Sequence, residues 1–227
     1  GAWKESELDY HINVKEMLAV YYALRSFKQT LRGMHVRVLC DNTTAVAVIN
    51  KMGTCRSTDC NRFAQVIWQF CQNYDIWVTC AFIPGVENVQ ADFESRKEYK
   101  QAEWMLNPRL FSSIVNTFQF FPNMDCFATR ANAQLEIYAS LKPDPFATMV
   151  DAFAFNWHNY NCYLFPPFSL IPRVLQKICI DQALVLCVVP RWPTQGWWPL
   201  LHRMMVQEPL ILPPAPKNLV LPNKPGE

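Results

Sequence analysis

The stretch VLCDNTTAVAVIN, residues 38–50, decides how the first part of this chain folds. It runs apolar to Cys40, drops to a carboxylate at Asp41, and resumes after Asn42 and Thr43 as a short apolar helix. The pattern predicts a strand over 35–41 and a helix over 43–51. An acid at the mouth of a strand has two readings. It caps the next helix, or it presents a ligand from a rigid support.

Upstream, HINVKEMLAVYYALRSF places Val14, Met17, Leu18, Tyr21 and Leu24 at the helical period, predicting a helix over 13–31. Glu16 heads the neighbouring row with Val20, Ala23 and Phe27, so its carboxylate falls on a mostly apolar face and needs a partner. Asn13 as N-cap with Glu16 three residues on also fits a capping box. Downstream, the chain predicts a helix over 58–73, a strand over 76–83 and a helix capped by Asn88, in whose first turns Asp92 suits the helix dipole. Glu16, Asp41 and Asp92 therefore sit at element ends that can converge at one edge of a sheet. Three converging carboxylates call for a cation, and hard oxygen donors suit Mg²⁺ or Mn²⁺.

The totals bound the rest. At 227 residues and 51% hydrophobic content the chain can bury sizeable cores, and a net charge of +2 does not name a partner. Nine cysteines without a C-x-x-C pair or zinc spacing predict reduced thiols in an intracellular protein, cytoplasmic or nuclear. No run approaches the roughly 18 apolar residues of a membrane span, so no membrane partner is expected. His11, His35, His158 and His202 lack ligand spacing and read as structural or surface residues.

The series HINVKEMLAVYYAL, VRVLCDNTTAVAVIN and AFIPGVENVQADFESR, in this order, resembles the RNase H domain of reverse-transcribing elements, most of all that of DIRS-type retrotransposons. The resemblance implies that Glu16, Asp41 and Asp92 hold two Mg²⁺ or Mn²⁺ ions that hydrolyse RNA in an RNA–DNA hybrid, with a reverse transcriptase upstream in the same polyprotein. The family pattern begins with an Asp on a first strand; this chain starts at GAWKESELDYHIN, downstream of where that strand falls, so the first metal ligand is expected to be missing from it and this stretch by itself is expected to be inactive even where a full polyprotein cleaves. Glu5, Glu7 and Asp9 read as solvated surface instead. Where related elements carry His before IPG, this chain has Phe82. Asn42, Thr43, Lys51, Gly53, Arg56, Ser57 and Arg96 are candidate nucleic-acid contacts, with Gly53 letting a backbone approach. Polar loops and helix termini explain the same residues without a ligand.

Charge density rises over 96–108, where a domain boundary is expected. The expected organisation is α/β throughout: an RNase H-like domain lacking its first strands over 1–100, a small Rossmann-like domain over 108–206, and a Pro-rich extended tail over 207–227. In the second domain helices are predicted over 108–119 and 168–179, and strands over 122–127, 161–165 and 183–189. The order of MDCFATRANAQ and CYLFPPFSL resembles the adenine methyltransferase-like domain that follows RNase H in DIRS-type elements. By that resemblance Asp125 lies in the S-adenosylmethionine-binding segment, and Phe165, Pro166, Pro167 and Phe168 occupy the catalytic loop. Phe165 offers no acceptor for a target amine, and no glycines follow Asp125, so S-adenosylmethionine binding is not expected. Phe168 keeps a face on which a base can stack. Trp192, Trp197 and Trp198 read as cover for a core or seam. The alternative to an enzyme is a non-catalytic nucleic-acid-binding or scaffold module derived from such an element.

Overall fold

A computed structural model describes residue 3 and residues 5–54, 56–96, 104–215 and 217–222. The chain divides into two compact units, Gly1–Gln101 and Ala102–Glu227.

Unit 1 runs α1 (Glu5–Leu8), α2 (Ile12–Ser26), α3 (Lys28–Leu31), β1 (His35–Cys40), α4 (Thr43–Asn50), α5 (Thr58–Asn73), β2 (Trp77–Phe82) and α6 (Val89–Arg96). β1 and β2 pair in parallel, from His35 opposite Trp77 to Cys40 opposite Phe82. A parallel pair needs a crossover, and α4 and α5 supply it. Val36, Val38 and Cys40 face the core, while His35, Arg37 and Leu39 face out. Met17, Leu24, Ile49, Ile67 and Cys71 fill the space between the helices and the two strands.

Two capping expectations are corrected. His11, not Asn13, caps α2, its Nδ1 accepting from the Asn13 N–H at 3.2 Å. Helix start therefore lies one residue earlier, and Glu16 is outside any capping box. Asn42, not Asp41, caps α4, its Oδ1 accepting from the Ala45 N–H at 3.0 Å. The helix expected over 13–31 breaks at Phe27, where φ −109° and ψ 16° leave the helical region and separate α2 from α3. Glu7 is buried rather than solvated, because the Tyr22 hydroxyl donates to it from α2.

Asn50 at the end of α4 serves as a clamp on β2. Its Oδ1 accepts from the Cys80 N–H and its Nδ2 donates to the Cys80 carbonyl, both at 2.8 Å. Asn50→Ala orphans both backbone groups and is expected to lower the unfolding free energy by about 2 kcal/mol, read from urea midpoints.

Unit 2 runs β3 (Met105–Leu106), α7 (Pro108–Phe118), β4 (Met124–Asp125), β5 (Ala139–Ser140), β6 (Met149–Val150), β7 (Cys162–Leu164), α8 (Ile171–Asp181), β8 (Val185–Cys187), α9 (Trp198–Met204) and β9 (Leu219–Val220). β4, β7 and β8 form a parallel sheet with β7 in the middle, and all three β7 residues are buried, as expected of a strand covered on both faces. Asn107 caps α7 with Pro108 behind it, which is why this helix starts where the sequence places it. The segment between β4 and β7 is not featureless: β5 and β6 pair in parallel within it.

Part of the Pro-rich tail is extended and paired. Leu219–Val220 pairs antiparallel with Met105–Leu106, and Leu212 and Leu219 pack against Leu106 and Phe111. Apolar residues between the prolines give the tail something to bury, so it folds back onto its unit. Trp157, fully buried, centres a second cluster with Met124, Cys162, Leu164 and Val174. Trp197 is buried and Trp198 packs beside it against Ile171 and Leu175, whereas Trp192 is 42% exposed and covers no core.

Candidate metal centre

The first site is built by two element ends. α2 carries Glu16 one turn after its start, where the helix faces the carboxyl end of β1, and Glu16 is half-buried there. Cys40 is the last strand residue and points inward at 5% exposure. Asp41 follows beyond the strand and is exposed. Asn42 locks the two elements together, because its Nδ2 donates to Asn13 Oδ1 at 2.9 Å while its Oδ1 caps α4. One donor atom each from Glu16, Cys40 and Asp41 lie within 4.8 Å of one another.

Among the described residues neither carboxylate of this group has a hydrogen-bond donor or a cationic partner. The electrostatics follow. Burial, and then the charge of Asp41, push the Glu16 carboxyl above its ordinary range. Burial also raises the Cys40 thiol, and both carboxylates add to that effect, against the Asn42 N–H. Two facing acids without a counter-charge fit a divalent cation, since their oxygens are the hard donors that Mg²⁺ and Mn²⁺ take.

Asp92 is placed differently. It is exposed in the first turn of α6, its N–H donating to the Asn88 carbonyl at 3.0 Å, and it is not part of the three-residue group. The turn that feeds α6 does pass the site: a Cβ on Gly85 would lie 3.6 Å from Asp41 Oδ2, an ordinary contact. Phe82, beside Cys40 at the end of β2, is 52% exposed.

The candidate nucleic-acid contacts divide. Arg56 and Ser57 line a cleft of about 320 Å³ with His11, Asn13, Thr44 and the acid Asp59, where the starts of α2, α4 and α5 meet. Ser57 also caps α5, accepting from the Cys60 N–H at 3.2 Å. Thr43 is exposed at the start of α4. Lys51 is the C-cap of α4, at the other end of that helix. Gly53, at φ +151°, is needed by the turn itself, where a Cβ would meet Asn61 Oδ1 at 2.5 Å. Arg96 is the last residue of α6, and the neighbouring Lys97 lies outside the described residues.

In unit 2 the FPPF loop follows β7, the central strand of the parallel sheet. Phe165 is half-buried with Leu106, Phe111 and Tyr163, Pro166 is buried and Pro167 exposed. Phe168 is 46% exposed and meets Trp192 edge to face, with ring centroids 5.0 Å apart. Asp125 ends β4 at 2% exposure and accepts the N–H groups of Gln134 at 3.0 Å and Phe127 at 3.4 Å. Among the described residues the buried Tyr163 hydroxyl has no hydrogen-bond partner.

Burial pushes Asp125 from 3.8 up to about 6, although the Gln134 and Phe127 N–H groups pull the other way. A carboxyl raised in the folded state stabilises fully below its unfolded value and loses that contribution as pH climbs through the folded one. Unit 2 is therefore expected to lose about 2 kcal/mol of stability between pH 4 and 7 from this group. Asp125→Asn keeps an acceptor and should flatten that window, checked by denaturant midpoints across pH against the unaltered protein.

Cys40 is the residue that sequence reasoning missed. Its signal was present in the strand pattern: an inward position directly before Asp41, occupied by the one apolar-like residue that is also a metal donor.

Residues 1–70 match the family model described as the RNase H-like domain found in reverse transcriptase. That match spans Glu16, Cys40 and Asp41, and it supports a similarity of the start of the chain to the RNase H region associated with reverse transcriptase. Neither the curated proteins nor the solved structures contain a match. Among the described residues no helix is long and apolar enough to cross a membrane.

Proposed function

We propose that unit 1 is the ribonuclease H of a DIRS-type retrotransposon polyprotein, acting on the RNA strand of RNA–DNA hybrids beside an upstream reverse transcriptase, inside the cell. The observation that carries this reading is the pair of carboxylates, Glu16 and Asp41, facing each other without a counter-charge inside the matched segment. Divalent ions bound there would supply an activated water and charge neutralisation at the scissile phosphate. The chain's own residues do the positioning. Glu16 and Asp41 would hold the ions, Asn42 and Asn13 fix the spacing between the two acids, and Asp92 would join from α6, whose feeding turn passes Asp41. The cleft beside Arg56 and Ser57 takes a backbone phosphate of the hybrid at the start of α5.

Unit 2 is read as a methyltransferase-like domain that has lost its chemistry. Phe165 stands where an acceptor for the target amine is needed, and it packs into an apolar cluster instead. The exposed Phe168 and Trp192 pair gives this unit a surface for an unpaired base.

Calorimetric titration with Mn²⁺ tests the reading of unit 1, together with cleavage of an end-labelled RNA–DNA hybrid. Mn²⁺ binding that disappears in Glu16→Gln supports it, and the absence of any Mn²⁺ binding overturns it. The placement of Asp92 outside the close group favours one second reading, a non-catalytic hybrid-binding module. Hybrid binding that needs no Mn²⁺, with no cleavage products even from a polyprotein that carries the first-strand Asp, selects that module over the nuclease.

A further inference from the structure

We propose that Cys40 is a third donor to the ion held by Glu16 and Asp41, so that this centre prefers thiophilic divalent cations, Zn²⁺ and Cd²⁺, over Mg²⁺. The inference rests on the reading of Glu16 and Asp41 as metal ligands and adds a sulfur to it.

The geometry points to a shared ion. Donors bound to one ion at about 2.0 to 2.3 Å stand roughly 3.3 to 3.8 Å apart at the tetrahedral angle. The Cys40 sulfur and one oxygen from each acid lie within 4.8 Å of one another, so side-chain shifts of about 1 Å bring them to that spacing. Adjacent strand residues ordinarily point to opposite faces. Asp41 escapes that rule because the strand ends at Cys40, and the chain turns there toward the cap at Asn42.

The sulfur is also held in place. Cys40 pairs with Phe82 across the sheet, its carbonyl accepts from the Ile83 N–H at 3.1 Å, and its sulfur accepts from the Asn42 N–H at 3.4 Å. At 5% exposure the side chain has no outward alternative.

Mg²⁺ takes oxygen ligands in near-ideal octahedral geometry and gains little from a thiol, so its affinity is set by the two carboxylates. Zn²⁺ and Cd²⁺ gain a strong bond to sulfur. On binding, the S–H bond breaks, the sulfur–metal bond forms and the proton passes to solvent, with no change of oxidation state. Zn²⁺ held in this way displaces Mn²⁺ from the same carboxylates.

The test is a Cd²⁺ titration followed through the ultraviolet charge-transfer absorption of thiolate–cadmium bonds, alongside a calorimetric Mn²⁺ titration. The exposed Cys179 contributes a background, so the reading is the difference between the intact protein and Cys40→Ser. Cys40→Ser is expected to remove one increment of that absorption and to weaken Cd²⁺ binding by about tenfold or more, while Mn²⁺ binding changes by less than about twofold. Cys40→Ala, which keeps a small apolar group in the core, should give the same spectral loss. Unchanged absorption and unchanged Cd²⁺ affinity in both variants, with Mn²⁺ still dependent on Glu16 and Asp41, overturn the role of Cys40 and leave the nuclease reading standing. Mn²⁺ binding indifferent to both acids overturns the two together.

Discussion

In a polyprotein that carries the first-strand Asp, Asp41→Asn is expected to reduce cleavage of an RNA–DNA hybrid by on the order of 10³-fold, and in this chain to weaken Mn²⁺ binding. The substitution preserves shape and leaves the cap of α4 untouched, because that cap belongs to Asn42. What it removes is half of the facing pair. Without its neighbour's charge, the Glu16 carboxyl should titrate lower in the ion-free protein, although the burial that is the larger cause of its elevation persists. Stability should hardly change, since Asp41 is exposed and, among the described residues, has no partner to lose. Hybrid cleavage left intact by Asp41→Asn would remove the acid pair from the mechanism.

Trp157→Ala is expected to destabilise unit 2 by about 4 kcal/mol, measured by urea unfolding. The side chain is fully buried, with its indole N–H donating to the Ala152 carbonyl at 2.8 Å. Phe127 and Phe153 meet its ring at centroid distances of 6.2 Å and 6.0 Å. Lys177 lies 5.2 Å over the same ring while bridging to Asp181 at 2.8 Å, and Asp181 in turn accepts the Trp157 backbone N–H at 2.8 Å. Truncation therefore leaves a cavity and takes the apolar support from beneath a salt bridge. Trp157→Phe fills most of that space and should cost about half as much, the remainder being the orphaned Ala152 carbonyl.

The elements legible in the sequence were those whose signals are local. α5 spans Thr58–Asn73 because Ser57 caps it and Cys60, Ala64, Ile67 and Cys71 repeat at the helical period. β1 is legible because its inward residues alternate with outward ones up to Cys40. What escaped was decided by partners distant in the chain or by uncommon chemistry. A histidine nitrogen caps α2, which the usual list of capping oxygens does not anticipate. Glu7 is buried by a hydroxyl 15 residues away, and the pairing of the tail with β3 joins segments more than a hundred residues apart. In the candidate site three acids were expected to converge, Glu16, Asp41 and Asp92; the first two lie together and Asp92 is outside the close group. Cys40 was not legible, because its inward position made it look like ordinary packing.

The amide of Asn50 has a consequence for how the small sheet of unit 1 can grow. By occupying both backbone groups of Cys80, it closes the middle of the outer rim of β2 to a newcomer. Extension on the β1 side meets no such clamp among the hydrogen bonds of the described residues. A strand recruited there would run past Cys40 and Asp41, so any side chain it carries near that end would be delivered to the acids rather than to the far flank.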